Sequence, residues 1–284
     1  MNFKITDKEF SHFKTIIFDV AGIDLAPEKK SMVTSRLAKR LRHYKLSDYS
    51  AYLELLNSGQ YPQERQILID QLTTNETYFF REPKHFDFLQ KLIVSKRQQG
   101  GGLRIWSGAS STGEEAYSIA MVLADKLGSS PWEVIGTDLS SRVLSTARTG
   151  HYNTTRIDGI PKNYLRRYCL KGSGPYENTL LINSEIRRRV SFVHANLNTT
   201  LPDLGGQFDV IFLRNVMIYF NQQTKKEIVQ RILALLKPGG YFLIGHSESL
   251  KDITDSVEAI APSIFQKSTT NKVNYNEGVA LNAS

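Results

Sequence analysis

The sequence predicts an α/β fold in which a helical N-terminal domain precedes a doubly wound α/β domain. Apolar residues recur at helical spacing through about residue 72, which indicates packed helices. The apolar run Leu103–Trp106 then leads through a loop of small residues into a helical pattern that begins at Glu114. A second apolar run, Trp132–Asp138, follows at a distance that suits one strand–helix–strand unit.

The N-terminal domain, predicted over residues 1–72, contains an unusually basic helix. Thr6 and Glu9 form a capping box at the start of the first helix, and the pattern breaks at Gly22. From Glu28 to Tyr44 an apolar stripe leaves most of the basic residues on the exposed side. These cations form either a solvated helix face or a docking surface for an acidic partner. The candidates for docking are Arg36, Lys39 and Arg40.

Composition limits the class of protein and its compartment. The 284 residues carry a net charge of +8, which fits a globular protein with an acidic partner: nucleic acid, a membrane surface or an acidic protein. The single cysteine, Cys169, excludes an internal disulfide and fits a reducing compartment. No apolar run is long enough to cross a bilayer, and the first residues lack the apolar core of a signal peptide. We therefore expect a cytoplasmic protein.

The loop after the first strand is predicted to bind a ligand. Gly108 and Gly113 permit a tight turn and a close approach to the backbone, beside the free N–H groups of a helix N-terminus. Asp138, at the carboxyl end of the second strand, can accept hydrogen bonds from both hydroxyls of a ribose. The alternative is that Asp138 caps the helix that starts near Ser140. The glycine-containing loop and Asp138 together indicate a ligand that contains adenosine. These residues do not show which such ligand is bound.

Further segments complete the predicted architecture. Residues 73–90 form a linker that contributes to the ligand site, and polar side chains alternate there with aromatic rings. The α/β domain is predicted over residues 91–267, with a small antiparallel insertion at about residues 162–192. Residues 268–284 are polar without periodicity, so we expect a flexible tail. The strands predicted for the insertion are Arg167–Leu170, Thr179–Ile182 and Val190–Val193.

Several motifs are specific enough to identify a family. They are Thr74–Arg81, Arg104–Ser107, Gly113–Glu115, Gly136–Asp138, Phe208–Phe220 and Gly245–Leu250. With these motifs in family order, the chain resembles, over about residues 5–266, the chemotaxis receptor methyltransferases of CheR type. These are S-adenosylmethionine-dependent protein-glutamate O-methyltransferases. The run Gly108–Ser111 departs from the many members that carry a cysteine there, but no catalytic role depends on that position.

The resemblance implies a Rossmann-like class I methyltransferase domain that binds S-adenosylmethionine and releases S-adenosylhomocysteine. It implies that the linker contacts the methionine part of the cofactor, that Glu114 lies by its amino end, and that Asp138 holds the ribose. Asn196 and Leu197 are expected to line the adenine pocket. The residues predicted to bind the cofactor are Asn75, Thr77, Arg81, Gly108, Glu114, Asp138, Asn196, Leu197, Arg214 and Asn215. Those predicted to orient the acceptor are Arg81 and Tyr219.

The resemblance also implies partners and a mechanism. The acceptors are methyl-accepting chemotaxis receptors, and in some similar proteins the edge of the small sheet binds a receptor tail peptide by strand addition. The residues leave that tail interaction open. We expect no nucleic acid, no membrane insertion, no metal and a monomer. A sulfonium methyl is already electrophilic and a glutamate is already an anion, so alignment rather than a general base is expected to accelerate transfer.

Other classes of protein remain as alternatives. A nucleic-acid methyltransferase is also basic, but amino-group methylation usually shows an Asn/Asp-Pro-Pro-aromatic run where this chain has Arg214–Met217. A non-catalytic, S-adenosylmethionine-binding regulatory protein is compatible with the same pocket. An NAD-dependent oxidoreductase fits less well, because the loop from Gly108 to Gly113 departs from the pattern G-x-G-x-x-G.

Overall fold

A computed structural model describes residues 3–97 and 102–269 of the chain. Of the tail predicted to be flexible, residues 270–284 lie outside the described residues. The helices are α1 (Asp7–Ala21), α2 (Lys30–Tyr44), α3 (Tyr49–Asn57), α4 (Pro62–Leu72), α5 (Pro83–Arg97), α6 (Glu114–Leu127), α7 (Ser141–Thr149), α8 (Lys162–Tyr168), α9 (Ser184–Arg187) and α10 (Gln222–Ala234). None of the helices in the described ranges is both long and apolar enough to span a membrane.

The strands are β1 (Leu103–Gly108), β2 (Trp132–Asp138), β3 (His151–Asn153), β4 (Cys169–Lys171), β5 (Thr179–Ile182), β6 (Val190–His194), β7 (Phe208–Leu213), β8 (Leu236–Ile244), β9 (Val257–Ala261) and β10 (Ile264–Lys267). Within the described residues, seven of them form one sheet in the order β6-β2-β1-β7-β8-β10-β9. The strands from β6 to β8 are parallel, and β10 runs antiparallel to both of its neighbours. The carboxyl ends of β1, β2 and β7 therefore meet at one edge of the sheet.

The N-terminal helices pack against this sheet. The predicted capping box at Thr6 and Glu9 is present, and α1 ends at Gly22 in a left-handed conformation that glycine adopts at low cost. One hydrophobic cluster joins α1–α4 to α10 and one face of the sheet, and a second cluster joins α5 and α6 to the other face. The loop after α1 is also tied to the sheet domain, because the amide of Asp24 donates to the carbonyl of Tyr219 at 2.8 Å.

The small antiparallel sheet differs from the prediction in two strands. The strand predicted at Arg167–Leu170 is β4, Cys169–Lys171, because Arg167 and Tyr168 lie in α8. The order of the sheet is β3-β5-β4, so its third strand is β3 and not the predicted Val190–Val193 run. Val190–Val193 belongs to β6, which pairs with β2 in the main sheet. The insertion consequently begins near His151 rather than near residue 162. Cys169 lies in β4, where burial raises the pKa of its thiol to about 12, so the thiol stays protonated.

Candidate active site

A cleft opens at the carboxyl ends of the parallel strands, where open α/β sheets bind their ligands. It encloses about 340 Å³, within the range of small-molecule sites (~300–1,000 Å³). Its walls come from the loop after α1, from the linker and from the strand ends. Most of the predicted site residues line it: Asn75, Thr77, Arg81, Asp138, Asn196, Leu197, Arg214, Asn215 and Tyr219.

Asp138 occupies the end of β2 and faces the cleft. Its carboxylate accepts hydrogen bonds from the backbone N–H groups of Ser111 (2.8 Å) and Ser140 (2.9 Å). The cap of α7 is Ser140, whose side chain accepts from the amide of Val143, so the capping alternative for Asp138 is wrong. Burial raises the pKa of Asp138, and the two N–H donors oppose that rise. Each oxygen keeps a lone pair that a ribose hydroxyl can use.

The two acidic residues at the start of α6 have different environments. Glu114 does not line the cleft: its side chain accepts from the hydroxyl of Thr112 at 2.6 Å and lies 3.5 Å from a guanidinium nitrogen of Arg156. Glu115 does line the cleft, and Arg214 lies 3.1 Å from its carboxylate. Burial raises the pKa of Glu115, an effect that Arg214 opposes. The structure therefore corrects the predicted position of the cleft carboxylate from Glu114 to Glu115.

Gly108 also lies outside the lining of the cleft. A Cβ at this position would lie 3.0 Å from a methyl carbon of Leu213 on the neighbouring strand β7. The residue at position 108 is therefore limited by strand packing rather than by contact with a ligand. The loop that approaches the cleft consists of the next residues, Ala109, Ser110 and Ser111.

The end of β6 supplies one wall of the cleft. The side-chain amide of Asn196 donates to the carbonyl of Val20 in α1 at 2.6 Å, and its oxygen accepts from the amide of Asn198 at 2.9 Å. Asn196 thus holds the loop against the N-terminal helices, leaving one N–H and one oxygen lone pair for a ligand. Leu197 is buried and provides an apolar surface beside it.

The linker forms another part of the wall of the cleft. The carbonyl of Asn75 accepts from the hydroxyl of Ser111 at 2.9 Å, which joins the linker to the loop after β1. The carbonyl of Thr77 accepts from the guanidinium of Arg156 at 3.3 Å, which joins it to the small insertion. The guanidinium of Arg81 donates to the carbonyl of Glu76 and lies over the ring of Tyr78. Arg81 forms no salt bridge with a carboxylate among the described residues, although its charge helps to oppose the rise that burial causes in the pKa of Glu115. Its guanidinium can therefore pair with an anion in the cleft.

The loop after β7 carries Arg214, Asn215 and Tyr219. Arg214 is buried and contacts the carboxylates of Glu82 and Glu115 and the carbonyl of Arg81. The two carboxylates therefore balance the charge of Arg214. We infer that its main role is to hold the linker in place rather than to bind an anionic ligand.

Glu248 fixes the same loop and was missed as a functional residue. Its carboxylate accepts from the backbone amides of Asn215 (2.9 Å), Met217 (2.7 Å) and Gly245 (2.7 Å). The sequence placed Glu248 in a family motif but gave no sign of its bonds to Asn215 and Met217, because those two donors are backbone groups 33 and 31 residues away.

The basic helix α2 presents fewer free cations than predicted. The guanidinium of Arg36 donates to the carbonyls of Gln71 (3.0 Å) and Thr73 (2.8 Å). Arg40 forms two hydrogen bonds of 2.7 Å with the fully buried carboxylate of Glu64. Arg36 and Arg40 are therefore committed to internal contacts. Lys39 is exposed and without a polar partner among the described residues, so its docking role stays a prediction.

The fold and the cleft together define a class of protein. Parallel strands with one reversed strand near the edge, and an acid at the end of β2 in a cleft of this size, are features of a class I S-adenosylmethionine-dependent methyltransferase. The donor set fits that cofactor, because Asp138 has lone pairs for a ribose and the carboxylate of Glu115 complements an ammonium.

Comparison with known proteins identifies the family. Residues 8–73 match the family described as "CheR methyltransferase, all-alpha domain", and residues 75–265 match "CheR methyltransferase, SAM binding domain". The chain is 43% identical over 251 residues to the chemotaxis protein methyltransferase of Escherichia coli K12, covering 88% of this chain and 87% of that protein. It is 37% identical over 265 residues to chemotaxis protein methyltransferase 2 of Pseudomonas aeruginosa, covering 93% and 94%. The chain belongs to the CheR methyltransferase family, and its cofactor is S-adenosylmethionine.

Proposed function

We propose that this protein transfers the methyl group of S-adenosylmethionine to glutamate side chains of methyl-accepting chemotaxis receptors, giving glutamate methyl esters. It is then a protein-glutamate O-methyltransferase that acts in the cytoplasm as a monomer. The observation that carries the proposal is the distribution of charge in the cleft. Carboxylates of Asp138 and Glu115 suit the ribose and the ammonium of the cofactor, whereas Arg81 offers a positive charge to an anionic acceptor.

The roles of individual residues follow from these positions. Asp138 holds the ribose, Asn196 and Leu197 contact the adenine, and Asn75 and Thr77 cover the methionine part. Glu115, in place of Glu114, faces the ammonium. Arg81 on the linker and Tyr219 on the loop after β7 both line the cleft, and together they orient the acceptor carboxylate.

The mechanism requires alignment rather than proton transfer. When bound, S-adenosylmethionine supplies an electrophilic methyl group on a sulfonium. A glutamate acceptor with an ordinary pKa is already ionised at neutral pH, so no residue has to remove a proton from it. Arg81 pairs with one oxygen of the acceptor and leaves the other oxygen free to attack. The linker closes over the cleft and limits hydration of the attacking oxygen.

The receptor docking surface is proposed for the exposed part of α2. Because Arg36 and Arg40 have internal partners, the surface consists of Lys39 together with the exposed residues Arg42 and Lys45 near the end of the helix. An acidic segment of the receptor complements this surface. Docking at this surface contributes to association and has no part in the chemical step.

The direct test is transfer of labelled methyl groups to three acceptors. The protein is incubated with methyl-labelled S-adenosylmethionine and with receptor-containing membranes, RNA or DNA, each with and without excess S-adenosylhomocysteine. We expect label in the receptor alone, inhibited by S-adenosylhomocysteine and released as methanol by mild alkali, because carboxyl methyl esters hydrolyse under those conditions.

Two other outcomes contradict the proposal. Label in RNA or DNA indicates a nucleic-acid methyltransferase, and alkali-stable label in protein indicates methylation of nitrogen. Binding of S-adenosylhomocysteine without transfer to any acceptor indicates a regulatory protein that only binds the cofactor.

A further inference from the structure

Glu82 lies at the end of the linker, just before α5, in a left-handed conformation with φ +58°. Its side chain is 12% exposed, and both of its oxygens are occupied. One oxygen lies 3.2 and 3.1 Å from two guanidinium nitrogens of Arg214. The other accepts from the side-chain amide of Asn215 at 3.3 Å and from the backbone amide of His246 at 3.2 Å. Glu82 thus joins the linker to the loops that follow β7 and β8.

The surroundings of Glu82 favour this role over a metal site. Ligand atoms of Glu82, His85 and His246 lie within 4.8 Å of one another, a spacing that a metal ion can bridge. However, Arg214 is paired with the same carboxylate, and its positive charge opposes a second cation there. Burial and Arg214 lower the pKa of His85 to about 4, so its ring stays neutral and adds no charge. The anion of Glu82 therefore balances Arg214.

Arg214 connects Glu82 to residues that line the cleft. Its buried guanidinium also contacts the carbonyl of Arg81, next to Glu82 in the chain, and the carboxylate of Glu115. A buried guanidinium requires its carboxylate partners, because an unpaired buried charge is strongly unfavourable. Without the charge of Glu82, Glu115 would be the remaining carboxylate partner of Arg214 among the described residues. The attachment of the linker to the loop that carries Asn215 would be weakened, although Arg214 still donates to the carbonyl of Arg81.

We propose that Glu82 is a positioning residue for methyl transfer: through Arg214 and Asn215 it fixes the linker that carries Arg81 relative to the loop that carries Tyr219. Glu82 does not line the cleft, so it contacts neither cofactor nor acceptor. Glu82 affects the alignment of the acceptor with the methyl group, because the linker and the loop after β7 carry the residues that orient the acceptor. Misplacement of reacting groups by ~1 Å can cost on the order of 100-fold in rate. This inference rests on the proposed function, because it assigns Glu82 to that reaction.

The test compares Glu82→Gln with Glu54→Gln, which makes the same chemical change at an exposed residue of α3. Glu82→Gln keeps the shape of the side chain and removes its charge. We expect kcat for receptor methylation to fall roughly 30-fold or more, while the Kd for S-adenosylhomocysteine by calorimetry stays within about threefold. Glu82→Asp retains the charge at a shorter reach, so we expect its kcat to lie between those of Glu82→Gln and the parent.

Several results overturn the inference. One is a kcat for Glu82→Gln within threefold of the parent; another is a loss of S-adenosylhomocysteine binding in proportion to kcat, which indicates general disruption. If the kcat of Glu82→Asp is no higher than that of Glu82→Gln, the negative charge at position 82 does not position the linker. If Glu82→Gln does not fold, Glu82→Asp takes its place: reduced kcat with normal binding supports the role, and parental kcat overturns it. Failure of the parent itself to form glutamate esters contradicts the proposed function instead.

Discussion

Asp138→Ala is expected to weaken binding of S-adenosylmethionine and S-adenosylhomocysteine by about 100-fold or more. Asp138 ends β2 in the cleft, and the proposed function assigns its carboxylate to both ribose hydroxyls. Hydrogen bonds to a charged acceptor contribute about 1.5–3 kcal/mol each, and 1.4 kcal/mol corresponds to a tenfold change. The substitution also removes the acceptor for the amides of Ser111 and Ser140, which shape the loop around the ligand. Calorimetry with S-adenosylhomocysteine measures the change.

The matched control is Asp87→Ala, which removes an exposed carboxylate from α5 outside the cleft. Its affinity for S-adenosylhomocysteine should equal that of the parent. Parental affinity in Asp138→Ala itself would show that the ribose is bound elsewhere. The thermal midpoints of both variants distinguish a loss of binding from a loss of structure.

Arg40→Ala is expected to destabilise the protein by about 3–5 kcal/mol, the usual cost of leaving a buried charge without its partner. The carboxylate of Glu64 is fully buried and accepts from Arg40 and from the hydroxyls of Tyr44 and Tyr52. Burial alone would raise the pKa of Glu64, but these partners hold it below its usual value. Without Arg40, the two tyrosine hydroxyls remain as partners of this carboxylate, and no cation balances it. Denaturant unfolding measures the loss.

Lys39→Ala is the control for that experiment, since Lys39 is the exposed neighbour of Arg40 on the same helix. Surface substitutions of this kind usually change stability by less than about 0.5 kcal/mol. Equal stabilities of Arg40→Ala and Lys39→Ala would contradict an internal role for Arg40.

Patterns local in the sequence predicted the core of the fold. The apolar runs of β1 and β2 and the capping box of α1 depend on neighbouring residues, and the structure contains all of them. The small sheet depended on pairing between distant segments. Val190–His194 has the alternation of a strand in either sheet, and only its pairing with β2 assigns it to the main one. The three residues of β3 give too short a pattern to predict a strand.

The direction of side chains could not be predicted for the site either, because it also depends on tertiary packing. Glu114 and Glu115 are adjacent on α6, so their side chains point about 100° apart around the helix axis. The packing of α6 against the sheet decides which one faces the cleft. That packing involves Ser107 on β1 and also Arg214, which is 99 residues away in the sequence. The internal contact of Arg40 was missed for a related reason, because its partner Glu64 lies on α4.

We propose that S-adenosylmethionine lies with its ribose at Asp138, its ammonium at Glu115 and its methyl group toward Arg81 and Tyr219. A crystal structure with S-adenosylhomocysteine measures this most directly. We expect the ribose hydroxyls within hydrogen-bond distance of the carboxylate of Asp138, and the amino group beside Glu115 rather than Glu114. A ligand bound outside this cleft, or one in the cleft with its amino end beside Glu114, would show that this binding mode is wrong.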